Sequence, residues 1–167
     1  MQKKDNALVS VIVNCHNGEQ YLEECIKSVI NQSYKNWELI FWDNCSSDNS
    51  KFVLEKFSDK RIKYFRSNKF LNLYDARNLA IRESKGEYIG FLDTDDFWEK
   101  DKIDIQVKFF NQYKDYEIVF SNYYLIKEKQ KARTIKHKFI LPSGNITQNL
   151  LNFYSIGILT TLVKRNI

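Results

Sequence analysis

Three carboxylates stand within four residues at Asp93-Thr94-Asp95-Asp96. Side by side they repel one another unless something positive lies among them. A hard divalent cation, Mn2+ or Mg2+, is the natural partner for such oxygens. Mg2+ commonly takes one or two protein carboxylates and completes its shell with water and substrate phosphates, so the cluster suits a metal shared with a diphosphate. The plainer reading is a cap, because carboxylates favour a helix N-terminus and Asp95 or Asp96 stands ahead of a helix near Lys102. Two further polar clusters, Asn14-Cys15-His16-Asn17 and Asp43-Asn44-Cys45-Ser46-Ser47-Asp48, also follow apolar runs. That repetition weighs against capping alone. An EF-hand loop starting at Asp93 fails, since Trp98 falls where glycine is required. A dinucleotide fingerprint fails too, with only Gly18 after the first apolar run, and there is no Walker loop. Without a glycine-rich cradle, phosphate must be neutralised by metal and side chains.

The elements that would carry these clusters alternate. Val9-Ser10-Val11-Ile12-Val13 reads as a buried strand. Asn17, with Gln20 three residues on, offers a helix N-cap. Leu22, Cys25, Ile26, Val29 and Ile30 then mark one helical face. Trp37 to Trp42 reads as a second strand, a helix through Phe52, Val53 and Phe57 follows, and Arg61 to Phe65 is a third, less buried strand. Leu73 to Ser84 reads as a helix with Ala76, Leu79 and Ala80 inward and Gly86 as its stop. Glu87 to Leu92 is the fourth strand, followed by a helix through Ile103, Val107 and Phe110 and a strand from Glu117 to Ser121. Such alternation predicts an α/β fold, a mostly parallel sheet covered on both faces. In open parallel sheets ligands bind at the carboxyl ends of the strands, which puts all three clusters on one rim. Beyond Ser121 the pattern weakens: Tyr123 to Ile126 and Phe139 to Leu141 are candidate paired strands, Pro142-Ser143-Gly144 is a turn, and Ile146 to Tyr154 a short helix.

Composition bounds the rest. The 167 residues, 43% hydrophobic and 28% charged, suit one globular domain. Aromatic residues at 15% exclude whole-chain disorder. No apolar run reaches the ~18 residues of a membrane-spanning helix, and the N-terminus lacks a signal-peptide stretch, so a cytoplasmic location is expected. Cys15, Cys25 and Cys45 form no CxxC pair and read as small buried side chains. The net charge of +5 is accounted for by Lys127 to Lys138, where Glu128 alone opposes Lys127, Lys129, Lys131, Arg133, Lys136 and Lys138. The pattern does not suit nucleic acid, whose binders spread basic residues among aromatics over a surface. The plainer reading is a solvated loop; the sharper one is a patch facing anionic lipid, at the inner face of a membrane, or a phosphorylated acceptor.

Taken together, the motifs carry a family resemblance over about residues 8–125. Val9 to Asn17, Gln32-Ser33-Tyr34-Lys35-Asn36-Trp37-Glu38-Leu39-Ile40, Asp43 to Asp48, Ala76-Arg77-Asn78 and Gly86 to Asp96 resemble, in order, the nucleotide-sugar-binding part of family 2 glycosyltransferases. The resemblance implies the GT-A fold, a Rossmann-like, mostly parallel sheet with helices on both faces. It implies transfer of a sugar from a nucleotide-diphosphate sugar, UDP-linked by expectation, to a saccharide or lipid-linked acceptor, with inversion and with Mn2+ or Mg2+. By position, Asn14, His16, Asp43 and Asn44 match residues that contact the base, Asn44 departing from the commoner second Asp. Arg77 matches a nucleotide or phosphate contact. Asp93 and Asp95 match the Asp-x-Asp metal motif, with Asp93 also on the donor. The general base of the family lies in a second acidic motif beyond the segment resembled by Ile158 to Lys164, and no Asp or Glu follows Glu128. The expectation is therefore a single domain shortened at its C-terminus: 1–7 flexible, 8–125 the donor-binding core, 126–167 the start of an acceptor side. An exposed apolar face and self-association follow from that expectation. Two other readings stay open: a non-catalytic nucleotide-sugar-binding module, and a haloacid-dehalogenase-like phosphatase, whose Asp-x-Asp normally follows the first strand.

Overall fold

The computed structural model describes residues 6–127, 132–154 and 156–166. Its elements run β1 (Val9–Cys15), α1 (Leu22–Ile30), β2 (Trp37–Asp43), α2 (Ser50–Glu55), β3 (Ile62–Arg66), α3 (Leu73–Glu83), β4 (Tyr88–Asp93), α4 (Lys102–Gln112), β5 (Ile118–Val119), β6 (Tyr124–Lys127), β7 (Ala132–Ile135), α5 (Thr147–Asn152), a 3-10 turn (Ile158–Thr160) and β8 (Leu162–Lys164). The main sheet has the order β3-β2-β1-β4-β8-β5. Its first four strands are parallel, and β8 joins antiparallel to both β4 and β5. The alternation read from the sequence thus gives the expected mostly parallel sheet.

Period-two patterning sorts the side chains to two faces. Val9, Val11, Val13 and Cys15 of β1 and Trp37, Leu39 and Phe41 of β2 pack with Leu22, Cys25, Ile26 and Val29 of α1 and Ile103, Val107 and Phe110 of α4. Ile12, Ile40, Trp42 and Ile89 face the other way, onto Ala76 and Ala80 of α3. Small alanines there let α3 lie close to the sheet. Each fully buried Leu, Ile or Phe contributes about 1.5–3 kcal/mol, so the first face holds most of the stability.

Several local expectations are corrected. Asn17 does not cap α1, which starts at Leu22 after Tyr21. Asn17 has φ +56, a left-handed backbone unlike the extended geometry of an N-cap, and its Oδ1 accepts from Ser47 N at 2.8 Å instead. In α2 the buried residue is Leu54; Phe52 is exposed and Phe57 packs beyond the helix end. Gly86 is not a left-handed helix stop. The chain leaves α3 through Ser84 in extended geometry. Glycine is needed at 86 because a Cβ would stand 2.5 Å from Ser10 N. The strand expected over Glu117 to Ser121 is only Ile118–Val119. Phe139 to Leu141 is not a strand; β6 pairs with β7, the nearer segment, while the Phe139 ring packs beside His137 and Phe153. Of the basic stretch, Lys129 and Lys131 lie outside the described residues, as do residues 1–5 of the expected flexible start. Among the described residues, no helix is long and apolar enough to cross a membrane.

Candidate active site

Parallel register fixes which strand ends meet. Asn14 stands opposite Trp42 on β2 and Asp93 on β4, and Cys15 opposite Asp43. The three polar clusters therefore share one rim, and their loops are bonded to one another. Asn17 N donates to Ser46 Oγ at 3.0 Å, and Gly18 N to Ser50 Oγ at 3.0 Å. Gly18 also lies against the Asp-Thr-Asp turn, where a Cβ would come 2.9 Å from Thr94 Oγ1. Cys45, with φ +60, donates its thiol to Ser67 O at 3.1 Å. Asn17 and Cys45 are the two described non-glycine residues with positive φ, and both sit on this rim. Backbone held in such a sparse region is the kind of strain that collects at functional sites.

At the end of β2, Asp43 is fully buried. Its Oδ1 accepts from Ser46 N at 2.7 Å; its Oδ2 accepts from the Tyr64 hydroxyl at 2.8 Å and Arg66 Nη1 at 2.7 Å. Asn44 makes a two-point clamp on Leu71: Nδ2 donates to Leu71 O at 2.8 Å and Oδ1 accepts from Leu71 N at 2.9 Å. Both expected base contacts are thus engaged inside the protein, and the clamp ties the segment before α3 to the end of β2. Next to the clamp, His16 Nδ1 donates to the Asn44 carbonyl at 2.9 Å, and its Nε2 lies 3.4 Å from Asn17 Nδ2. The His16 ring meets Phe70 edge-on at 4.6 Å. Phe70 is exposed and was not foreseen; nothing local in Asn68-Lys69-Phe70 marks it, because only the Asn44–Leu71 clamp carries it to His16.

The end of β4 is the crowded side of the rim. Arg77, on α3, donates Nη2 to Asp93 Oδ1 at 2.7 Å, and its guanidinium is largely buried. The arginine predicted for a phosphate or nucleotide contact is therefore beside the first carboxylate of the acidic turn. Asp95 is exposed and Asp96 half-buried. Burial, with the charges of Asp95 and Asp93 added, pushes the Asp96 carboxyl up to about 6. Neither Asp95 nor Asp96 caps α4, whose N-cap is Asp101 without a side-chain cap bond. Between these sides lies Asn14, whose Oδ1 and Nδ2 are both buried with no hydrogen-bond partner. A buried amide without partners costs about 1–3 kcal/mol.

A metal can be weighed against this donor set. Among the described residues, no three His, Cys, Asp or Glu side chains gather into a cage. The hard oxygens of Asp93 and Asp95 suit Mg2+ or Mn2+ that shares the rest of its shell with water and phosphate, as these ions often do. An acidic turn in which Arg77 pairs Asp93 alone, and Asp95 stays exposed, fits such a sharing arrangement and does not fit an all-protein site.

A four-stranded parallel half extended by antiparallel strands, with an acidic turn after β4, defines a GT-A type nucleotide-diphospho-sugar transferase fold. Comparison with known proteins agrees and goes further. The Glycosyl transferase family 2 pattern matches residues 10–162, and the chain belongs to that family. It is 34% identical over 163 residues to the UDP-Glc:alpha-D-GlcNAc-diphosphoundecaprenol beta-1,3-glucosyltransferase WfgD of Escherichia coli, covering 98% of this chain and 62% of that protein. It is 34% identical over 161 residues to the putative teichuronic acid biosynthesis glycosyltransferase TuaG of Bacillus subtilis, covering 95% and 62%. The chain thus spans less than two thirds of the length of these relatives. Among solved structures it superposes on S. aureus TarS 1-349 in complex with UDP with a TM-score of 0.64 and 26% identity, over 67% of this chain and 34% of that one. A second TarS structure matches with a TM-score of 0.72 at 23% identity, over 93% and 46%. Family membership removes the support for a haloacid-dehalogenase-like phosphatase.

Proposed function

We propose that the chain is the donor-binding part of a transferase that moves a sugar from a UDP-sugar to a saccharide or lipid-linked acceptor, with inversion and with Mn2+ or Mg2+. The observation that carries this reading is the shared rim: Arg77, Asp93 and Asp95 on one side, His16 and Phe70 on the other, and the unpartnered Asn14 between them. A nucleoside diphosphate has complementary parts, an aromatic base for one side, a charged diphosphate for the other and hydroxyls and carbonyls for an idle amide. WfgD is named for UDP-Glc as donor and alpha-D-GlcNAc-diphosphoundecaprenol as acceptor; both support the substrate class proposed here.

In this reading Asp95 holds the cation directly and Asp93 helps to hold it while keeping Arg77 in place. The cation, when bound, supplies charge compensation for the diphosphate leaving group. Arg77 adds a second, fixed positive charge on the same side. His16, held by the Asn44 carbonyl and beside Asn17, presents its ring at the base edge. Asp43 and Asn44 act one step back: they hold Arg66, the Ser46 turn and Leu71, and so shape the wall on which the base lies. The attacking hydroxyl needs a carboxylate base, and no acid follows Glu128 in this sequence. In this reading residues 8–125 form the donor-binding core.

Isothermal titration of UDP with and without Mn2+ tests the reading. Metal-dependent binding is expected, with Asp95→Ala weakening it by at least tenfold. UDP binding indifferent to both metal and Asp95→Ala would refute it. A donor-hydrolysis assay on the same protein separates a catalytic chain from the alternative, a module that holds donor without transferring it.

A further inference from the structure

The segment from β6 to α5 differs from everything before it. Tyr124, Leu125, Ile126 and Ile135 of the hairpin, Phe139 and Ile140 after it, and Leu151, Phe153 and Tyr154 at α5 are all exposed, Ile140 at 96%. Soluble surfaces rarely gather large apolar side chains so densely. They are not loose ends. His137 is buried among the rings of Tyr123, Phe139 and Phe153 at 6.0, 5.2 and 5.8 Å, and Asn122 Oδ1 and Nδ2 bind its backbone N and O. This small aromatic cluster anchors a platform made by Phe139, Ile140, Phe153 and the hairpin beside them, where Tyr124, Ile126, Arg133 and Ile135 share one face and Leu125 and Lys127 the other.

Among its described residues the platform's own charged side chains are all basic, with Arg133 paired to Glu99. Lys127, Arg133, Lys136 and Lys138 are exposed there, and no acidic residue follows Glu128 in the sequence. The platform also has a fixed place. Arg133 bonds Glu99 at 2.9 Å and lies over the Phe97 ring at 5.7 Å, so the hairpin stands beside the acidic turn of β4.

We infer that this platform docks on an anionic lipid bilayer, the apolar side chains entering the interfacial region and the lysines meeting the headgroups. Charge complementarity selects that partner: a protein surface would have to match cations interleaved with aliphatic side chains, whereas a bilayer presents negative headgroups above hydrocarbon over any outline. The inference stands apart from the transferase reading, though the two agree in geometry, since docking would bring the rim beside Asp95 to the level of lipid headgroups.

Vesicle flotation with the purified chain tests it, using phosphatidylcholine vesicles with and without phosphatidylglycerol. Binding is expected only with phosphatidylglycerol, and weaker at high salt. Each basic residue near such a surface is worth roughly fivefold in partitioning, so Lys136→Gln with Lys138→Gln should lower binding by roughly 25-fold. Ile140→Ser should lower it as well, while UDP titration and circular dichroism of both variants stay as in the parent. Absence of binding to anionic vesicles, equal binding to both vesicle types, or binding unaffected by either variant would overturn the inference. So would displacement by inorganic pyrophosphate at constant ionic strength, which would mark a discrete phosphate pocket. A dimer in sedimentation that Ile140→Ser dissolves without altering flotation would show that a second copy covers the platform instead.

Discussion

The rim of the parallel sheet and the platform after Ser121 are built in opposite ways. On the rim almost every polar group is paired: Asp43, Asn44, Asn17, Ser46 and Asp93 all have partners within the protein, and the strands beneath them are closed on both faces. On the platform the aromatic cluster at His137 is small and the large side chains face out. A closed region can hold a few unpaired groups, such as Asn14, ready for a ligand, because its frame does not depend on them. An open region keeps its apolar surface for whatever covers it. The proposed donor site accordingly uses the first region for polar recognition, and the proposed docking uses the second for shape-tolerant contact.

That contrast can be broken by substitution. The largest effect is expected beneath the rim. Phe41→Ala removes a fully buried ring from the core beneath α1 and α4 and should cost about 3–5 kcal/mol in urea unfolding. Asn44→Ala deletes both bonds to Leu71 and leaves the backbone groups there unpaired; a loss of about 1–3 kcal/mol is expected, with weaker UDP binding because Phe70 loses its support. Ile140→Ser, on the platform, should shift the unfolding midpoint by less than about 0.5 kcal/mol. If Ile140→Ser cost as much as Phe41→Ala, the platform would be part of the core and the contrast would fail. If Asn44→Ala left both stability and UDP binding intact, the clamp would not organise the rim.

The C-terminal segment shows how the two regions are joined. Trp98 Nε1 donates to Leu159 O at 2.8 Å, and Gln106 Nε2 to Thr160 O at 2.7 Å, so the chain returning from the platform is fastened to α4 before β8 enters the sheet. Lys102, on the same helix, has its ammonium 4.1 Å from the Trp98 ring and 2.7 Å from Gln106 Oε1; burial brings its pKa down to about 7.

The sequence was legible where a residue's surroundings are set by its neighbours along the chain. Val9 to Val13, Trp37 to Trp42 and the Leu22-Cys25-Ile26-Val29 face carry periods that only one element satisfies, and strand-end placement put Asn14, Asp43 and Asp93 on one rim before any coordinates. Asp-Thr-Asp-Asp likewise announced crowded charge by itself. What distant contacts govern stayed hidden: the reason for glycine at 86 is the backbone of Ser10, the place of Phe70 depends on Asn44 holding Leu71, and Asn17 gave up a helix cap for Ser47. The basic stretch was visible as composition, but that it stands beside the acidic turn, among outward-facing aliphatic and aromatic side chains, was decided only when Arg133 met Glu99. Local periodicity is a property of the chain, whereas pairing across dozens of residues depends on how the packed sheet brings its loops together.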